Sequence, residues 1–313
     1  MPEITLTTPC GPLRGVEENG CRIFRGIRYA ATARFEKPRE TTRWDGVFDA
    51  VQNGPDCFQA AAFLPPQNGF YDREFGGGPE HSYTEDFVTL DLAAPADAKG
   101  CPILVFVHGG GHESGAVDDL PYGCCTEYAR RGVIFVSVGY RLGVLSLFRC
   151  QNLGLFDLMT ALAWVRHNAA AFGGDPERIT GIGQSAGAMM LSDLCLCPAA
   201  APLLRGAVLM SGGGAVPHPL RPCTRAEADP FWDEVRAAAG AASDAALRAL
   251  PAETVWRAWL AVRRKNRSLR LAQPGIEGEI LRGEPERLLR GGALAPVPVI
   301  LGVTAQDYLP LFL

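Results

Sequence analysis

The chain has 313 residues, 47% of them hydrophobic and 20% charged, which is enough apolar material for a large buried core. Its net charge of −4 gives no sign of a nucleic-acid partner. The N-terminus lacks the basic and apolar regions of a secretory signal, and no apolar run is long enough to span a membrane. Composition therefore favours a cytoplasmic globular protein that binds neither nucleic acid nor membrane.

The ten cysteines show neither a Cys-x-x-Cys pair nor the spacing of a zinc site. In a reducing compartment free thiols are the default, and Cys195 and Cys197 lie at an apolar helix, where we expect them to pack. We expect neither a metal nor a cofactor. The densest basic run, 263–270, is interpreted as a solvated helix end rather than a binding patch.

The predicted elements change in character along the chain. Residues 1 to about 60 predict short strands and turns, and 62–82 predict a loop insertion. Helical periodicity is clearest over 155–169, and 225–270 predict a helical cap over a site. Strands are predicted near 102–107, 133–138, 178–182, 206–210 and 297–303. Because strands and helices alternate, we expect a mostly parallel sheet with helices on both faces.

The first motif follows the strand predicted at 102–107. That strand leads directly into His108-Gly109-Gly110-Gly111, the pattern of the oxyanion loop in lipases and esterases. Glycines let backbone N–H groups approach a developing negative charge with no side chain in the way. The alternative is a flexible glycine turn after a core strand.

The second motif is Gly183-Gln184-Ser185-Ala186-Gly187, which lies between the strand at 178–182 and an apolar helical stretch. Strand, Gly-x-Ser-x-Gly and helix form the nucleophile elbow of α/β-hydrolases, in which a sharp turn exposes the serine hydroxyl. Taken alone, the pentapeptide could be an ordinary glycine-rich turn. Two motifs in the expected order and on the expected elements favour a hydrolase.

The likeness extends beyond the motifs, because the chain resembles the type-B carboxylesterase family along nearly its whole length and in that family's order. The N-terminal match is Phe24-Arg25-Gly26-Ile27-Arg28-Tyr29-Ala30. Further matching segments lie at 140–145, 152–157, 170–176, 208–213 and 298–304.

The resemblance implies a single α/β-hydrolase domain over 1–313, a small-molecule ester substrate and no cofactor. It assigns Ser185 as the nucleophile, the N–H groups of Gly110, Gly111 and Ala186 as the oxyanion hole, and Asp307 as the acid that orients a histidine. A solvated loop aspartate is the alternative interpretation of Asp307.

The family's order of Ser, acid and His is not completed here. The chain ends six residues after Asp307, and its five histidines, which are His81, His108, His112, His167 and His218, all precede that residue. Without an imidazole, the Ser185 hydroxyl lacks a general base. His108 belongs to the oxyanion motif, where it is usually structural. His112 is the candidate for a substitute base, and a weak one, because geometry must be met before basicity matters.

Two further departures concern single positions. Gln184 stands where most relatives carry Glu, which removes a carboxylate near the site. Phe87 stands where extracellular relatives have a cysteine that pairs with one near Cys57, so that family disulfide is not expected here.

The last six residues are mostly apolar, which predicts a continuing element rather than a finished terminus. We therefore expect an incomplete family member that lacks the last C-terminal elements, hydrolyses short activated esters very weakly or not at all, and exposes apolar surface. Two functions stay open. One is a serine carboxylesterase, and the other is a non-catalytic or inactive truncated α/β-hydrolase-like protein.

Overall fold

One large sheet organises the molecule, and the computed structural model describes residues 1–64, 81–118, 126–213, 222–266, 273–305 and 307. The spatial order of its strands is β1-β2-β3-β9-β11-β10-β12-β13-β14, with β6 beside β2. The remaining strands form the two small pairs β4–β5 and β7–β8. The strands are β1 (Glu3–Thr8), β2 (Gly11–Glu18), β3 (Cys21–Arg28), β4 (Ala30–Ala31), β5 (Arg39–Glu40), β6 (Phe48–Asp49), β7 (Asp56–Cys57), β8 (Tyr83–Thr84), β9 (Thr89–Pro95), β10 (Cys101–Val107), β11 (Ile134–Val138), β12 (Gly174–Gln184), β13 (Gly206–Met210) and β14 (Val299–Gly302).

The sheet has a parallel half and an antiparallel half. Strands β10 to β14 are parallel neighbours, whereas β1, β2, β3 and β9 form an antiparallel meander that joins β11. The five strands predicted from 102 onward are the parallel ones, so the expected α/β sheet is confirmed. The strand predicted at 178–182 begins earlier, at Gly174, and the one predicted at 297–303 is shorter.

Helices cover both faces of the parallel half. The described α-helices are α1 (Thr126–Ala129), α2 (Gly143–Leu147), α3 (Leu153–Asn168), α4 (Ala186–Cys195), α5 (Arg225–Ala238), α6 (Asp244–Ala249), α7 (Ala252–Asn266) and α8 (Pro285–Arg290). Trp164 of α3 lines a small apolar space with Ile103 and Ile134 on one face, while Tyr128 of α1 stacks on Phe135 on the opposite face. Among the described helices, none is both long and apolar enough to traverse a bilayer.

The helix predicted at 155–169 is α3, and it is buried on almost every side. The helical period places five apolar residues on one face, of which four are fully buried and Met159 is half-buried: Leu155, Leu158, Met159, Leu162 and Val165. Because α3 is enclosed so fully, its apolar residues extend beyond the one face that the periodicity singled out. The prediction of a helix is confirmed, although its burial is wider than expected.

The predicted helical segment 225–270 forms three helices, α5, α6 and α7, and its last residues lie outside the described ranges. Helix α5 begins with a capping box, in which Thr224 and Glu227 each satisfy the other's backbone N–H. The tryptophans of these helices are fully buried, namely Trp232 on α5 and Trp256 and Trp259 on α7.

Arg149, 7% exposed, joins these helices to the core through ion pairs with Asp229, Asp233 and Asp244 at 2.7–2.9 Å. The expected cap is therefore a packed layer that one central cation links to the rest of the fold.

The eight cysteines in the described ranges are free thiols. Cys57 is buried and its sulfur accepts a hydrogen bond from the Leu142 N–H, while Phe87 is also buried. Cys195 and Cys197 are buried in apolar packing, as predicted. The loop insertion predicted at 62–82 lies mostly outside the described residues.

Candidate active site

Ser185 lies on the sharp turn between the end of β12 and the start of α4, where the elbow motif predicts it. Its backbone has φ 52° and ψ −121°, a conformation that non-glycine residues rarely adopt. The turn is fixed on both sides, because the Ser185 N–H donates to the Met210 carbonyl (2.8 Å) and the Ser185 carbonyl accepts from the Met189 N–H (3.0 Å). The hydroxyl has no hydrogen-bond partner among the described residues and is therefore available to a ligand.

The two glycines of the elbow are required by close packing. A Cβ on Gly183 would lie 2.6 Å from the Gly187 backbone, and a Cβ on Gly187 would lie 2.1 Å from the Val107 carbonyl oxygen. Both separations are too short for any side chain. The start of α4 is therefore pressed against the end of β10, where the oxyanion motif begins.

The oxyanion loop contacts the elbow through Gly109. A Cβ there would lie 2.6 Å from Gln184 Oε1 and 3.2 Å from Ser185 Cβ. The next glycine turns the chain, because Gly110 has φ 98° and its carbonyl accepts the N–H groups of Glu113 and Ser114. Gly111 follows with φ 64° and open space where a side chain would point. Close packing at Gly109 and positive φ angles at Gly110 and Gly111 therefore account for the run of glycines.

The predicted oxyanion donors have no acceptor within the described part of the chain. No hydrogen bond there uses the N–H of Gly110 or Gly111. Ala186 is the first residue of α4, so its N–H has no partner within the helix. The positive end of a helix dipole adds to the attraction for negative charge at this point.

Asp307 lies beyond β14, two strands from β12 at the same carboxyl edge of the sheet. Its Oδ1 accepts hydrogen bonds from Ser211 Oγ (2.9 Å), the Thr304 N–H (3.0 Å) and Thr304 Oγ1. These bonds, the one from the Thr304 hydroxyl above all, lower the pKa of Asp307 and hold it ionised at neutral pH.

Ser211 connects Asp307 to the elbow. It follows Met210, the acceptor of the Ser185 N–H, and a Cβ on the next residue, Gly212, would lie 2.3 Å from the Ser185 carbonyl oxygen. No role for Ser211 is predicted from the sequence alone. Its signal was available, since it lies in the Ser-Gly-Gly run after a core strand that matches the family.

The described histidines have partners away from the Ser185 hydroxyl. His81 Nδ1 bonds Asp56, and the exposed His167 bonds Glu40. His108 folds back onto the Gly109 carbonyl (2.9 Å) and stacks on Tyr140, which agrees with the structural role expected for it. His218 lies outside the described residues.

His112 is buried directly after the oxyanion loop, with φ 63°. The pKa of His112 is lowered from 6.5 to about 4, mainly by burial and to a smaller extent by the nearby His108. The Gln273 side chain opposes this shift. The imidazole is therefore neutral at pH 7, as a base must be, but it is not hydrogen-bonded to Ser185.

The predicted cap contacts the loop that follows the oxyanion motif. Arg263 of α7 forms an ion pair with Glu113 at 3.0 Å. Arg263 is only 17% exposed, so the first residue of the basic run is paired rather than solvated. Burial raises the pKa of Glu113, although Arg263 opposes that shift. The cap helices thus border the candidate site.

The sequence matches the model of the carboxylesterase family over residues 2–312. The chain is 31% identical to the para-nitrobenzyl esterase of Bacillus subtilis (strain 168) over 96% of its own length and 62% of that protein. It is 36% identical to the phenmedipham hydrolase of Pseudarthrobacter oxydans over 69% of its length and 45% of that protein. The mouse cholinesterase is 35% identical, with 69% and 39% covered.

Solved structures give the same result. A thermophilic para-nitrobenzyl esterase superposes with a TM-score of 0.85 at 29% identity, over 97% of this chain and 64% of that one. A carboxylesterase of Geobacillus stearothermophilus superposes with a TM-score of 0.83 at 31% identity, over 98% and 62%. The chain thus spans less than two thirds of the length of these relatives. Sequence and fold together show that the chain belongs to the carboxylesterase family and has an α/β-hydrolase fold.

Proposed function

We propose that this chain carries the nucleophile and oxyanion hole of a serine carboxylesterase that acts on small carboxylic esters. The observation that carries the proposal is the strained Ser185 turn packed against the glycines of the oxyanion loop. Strain of this kind concentrates at functional sites. Family membership supports the same reaction class.

In the proposed reaction, Ser185 Oγ attacks the ester carbonyl carbon and gives up its proton to a base. The carbonyl oxygen becomes an oxyanion, which accepts hydrogen bonds from the N–H groups of Gly110, Gly111 and Ala186. The C–O bond to the alcohol then breaks, the alcohol leaves with the proton, and the acyl group stays on Ser185. Water cleaves this acyl-enzyme by the same steps and releases the acid.

Asp307 is proposed as the carboxylate that orients the base. Its lowered pKa keeps it charged, and it is held at the same sheet edge as Ser185 by Thr304 and Ser211. An ionised acid in that position stabilises the imidazolium that forms when histidine takes the serine proton. The base itself is not among the contacts of Ser185 in the described residues.

A second candidate, a non-catalytic α/β-hydrolase-like protein, is favoured by one observation. None of the four described histidines contacts the Ser185 hydroxyl, and each has other neighbours. A site with an oxyanion hole but no base binds a carbonyl compound without turning it over efficiently. The retained elbow and loop geometry supports the esterase as the first candidate.

Hydrolysis of p-nitrophenyl acetate tests the proposal, with Ser185→Ala as the decisive variant and Ser82→Ala, an exposed serine, as its matched control. We expect slow hydrolysis that Ser185→Ala lowers and Ser82→Ala preserves. The part that remains in Ser185→Ala comes from the oxyanion hole and from binding, which keep about 10³–10⁴-fold catalysis over water when a triad member is absent. His112→Ala tests the histidine that the sequence offers as a substitute base. Turnover by Ser185→Ala equal to that of the parent chain would refute the proposal.

A complementation experiment tests whether an added segment can supply the base. The part of the Bacillus para-nitrobenzyl esterase that has no counterpart in this chain, about 38% of its length since 62% is covered, is expressed together with the 313 residues. We expect a large increase in rate that again depends on Ser185. An unchanged rate with correct assembly would favour the non-catalytic candidate.

A further inference from the structure

Three side chains that lie far apart in the sequence converge beside the arm that leads out of the oxyanion loop. His81 Nδ1 lies 2.6 Å from Asp56 Oδ2 and 3.6 Å from Asp118 Oδ1. The three potential ligand atoms all lie within 4.8 Å of one another. These side chains are only 6%, 19% and 12% exposed for Asp56, His81 and Asp118, so the cluster is enclosed rather than spread over a surface.

The backbone holds these residues in place. Strands β7 and β8 pair in parallel, and the Asp56 N–H donates to the Ser82 carbonyl (2.8 Å), which sets His81 against Asp56. The Val117 carbonyl accepts from Ser137 Oγ (2.6 Å), and Asn53 Nδ2 donates to the second oxygen of Asp118. The site is therefore preorganised by contacts outside the three side chains.

A third carboxylate, Asp91, adds an independent observation. It is fully buried, and its Oδ1 accepts from the Gly26 N–H (2.7 Å), whereas Oδ2 has no partner among the described residues. Asp91 is in register with Ser137, whose hydroxyl holds the residue before Asp118. Asp118 Oδ1 likewise has no hydrogen bond within the described ranges. Two buried carboxylate oxygens in this region, Asp91 Oδ2 and Asp118 Oδ1, therefore lack a hydrogen-bond donor among the described residues.

We propose that Asp56, His81 and Asp118 form a binding site for Zn²⁺. One imidazole nitrogen and two carboxylate oxygens are ligands that zinc accepts at about 2.0–2.2 Å, with a fourth position left for water or for Asp91. Zinc would bind Nδ1 of the neutral His81 imidazole with its proton on Nε2, an imidazolium ring first losing its Nδ1 proton to solvent, and the Asp56–His81 contact would open slightly to admit the ion. Ca²⁺ and Mg²⁺ prefer a larger all-oxygen ligand set.

The site would steady the oxyanion loop. Asp118 lies on the outgoing arm of that loop, and the same arm is tied to the β7 segment by two hydrogen bonds between Gln59 and the Gly115 backbone, at 3.0 and 3.1 Å. A metal ion that joins Asp118 to Asp56 and His81 would add a stronger link to this contact. Zinc binding therefore stabilises the fold and the position of the glycine loop together.

The test uses the full chain, stripped with a chelator, loaded with ZnCl₂ and desalted before metal analysis. We expect about one Zn²⁺ per chain and a higher melting temperature in zinc, because an ion that binds only the folded state stabilises it. His81→Asn keeps an amide donor toward Asp56, and Asp118→Asn keeps the shape of the carboxylate, but both should lose the zinc. His167→Asn, at an exposed histidine bonded to Glu40, should keep it.

Two controls show whether the bound zinc lies at this cluster. A Cys150→Ser/Cys223→Ser variant should retain the zinc, which excludes binding by that buried thiol pair. In the unmodified protein, zinc should protect His81 from carbethoxylation by diethyl pyrocarbonate, a readout that needs no variant. Absence of stoichiometric zinc in the parent chain, or zinc retained by a folded His81→Asn variant, would overturn the proposal.

Discussion

At the scale of single residues, the fit of Gly109 against the elbow is the contact on which the candidate site depends most. The flexible Gln184 side chain can move away from an added methyl group, but the Gln184 carbonyl oxygen at 3.0 Å and Ser185 Cβ at 3.2 Å would remain, so either the loop or the elbow must shift by a few tenths of an ångström. Neither has room to do so, because Ser185 is also fixed by the Met210 carbonyl and Gly187 is pressed on Val107.

Gly109→Ala should therefore lower the free energy of unfolding by about 1–3 kcal/mol, the usual cost of overpacking. It should also lower any Ser185-dependent ester hydrolysis. Gly302→Ala is the matched control, since nothing lies within 4 Å of its added methyl group. Denaturant titration and initial rates provide the comparison. Equal behaviour of the two variants would contradict the packing described for the loop.

Asp193 is a buried carboxyl group on α4, the helix that follows the nucleophile. Burial raises its pKa from 3.8 to about 8, and the nearby negative charge of Glu277 adds to this. The native state therefore holds a proton that the unfolded chain has lost, so Asp193 reduces stability progressively as pH rises from about 4 to about 8. Asp193→Asn removes that titration.

The Asp193→Asn variant should accordingly melt at a higher temperature than the parent at pH 8, with a smaller difference at pH 5. Thermal unfolding at both pH values, with the exposed Asp97→Asn as control, measures this. A difference that is the same at both pH values would show that Asp193 does not titrate in the folded protein over this range.

At the scale of elements, one buried cation links two of the cap helices, α5 and α6, to the core. Arg149 has φ 47° and forms ion pairs with two aspartates one turn apart on α5 and with the N-terminal residue of α6, at 2.7–2.9 Å. The aspartates are 38–52% exposed, so water would partly solvate them if the arginine were removed. The loss is therefore smaller than for a fully buried pair.

Arg149→Met should make the segment 222–266 more sensitive to limited proteolysis and should lower the melting temperature. The exposed pair of Arg290 and Glu286 supplies the control Arg290→Met, which should change stability by no more than about 0.5 kcal/mol. Identical digestion patterns for parent and Arg149→Met would mean that apolar packing alone holds the cap.

The elements show which parts of the structure could be read from the sequence. The parallel strands and α3 were predictable because their apolar runs and periodicity are local signals, and the strand 206–210 matches β13 at both ends. The start of β12 was not, because only Gly174 pairs with β10 there and residues 175–178 form a register shift that no local pattern encodes.

The candidate site was likewise predictable only in part from the sequence. Ser185 and the oxyanion glycines belong to contiguous motifs, so their shared sheet edge followed from strand order. The contact between Gly109 and Ser185 and the link through Ser211 arise only when distant segments pack together. Likewise, Asp56, His81 and Asp118 are separated by long stretches of chain, and spacing rules for metal ligands could not find them.

At the scale of the whole molecule, β14 is an exposed apolar edge of the sheet within the part of the chain that the structure describes. All four of its residues are exposed, with Ile300 at 65% and Leu301 at 59%, and Val303 beyond it at 73%. Burial of apolar surface is worth about 25 cal/mol for each Å², and an open strand edge is a template for pairing with another chain.

We therefore expect the isolated chain to self-associate, and Ile300→Lys to reduce this, since an edge lysine opposes strand pairing. Light scattering after size-exclusion chromatography, over a range of protein concentrations, measures the mass of the species. Asn266→Lys adds the same charge at an exposed position of α7 and should have no effect. A parent chain that stays monomeric at all concentrations would contradict the role given to β14.

The proposal that Ser185 is the nucleophile is tested most directly by covalent trapping. The full chain is incubated with a fluorophosphonate, which transfers its phosphonyl group to an activated serine with loss of fluoride, and the adduct is mapped by peptide mass spectrometry. We expect one slowly formed adduct on Ser185, no adduct on Ser185→Ala, and unchanged labelling of Ser82→Ala. A phosphonyl group on another residue, or labelling of Ser185→Ala equal to that of the parent, would contradict the account.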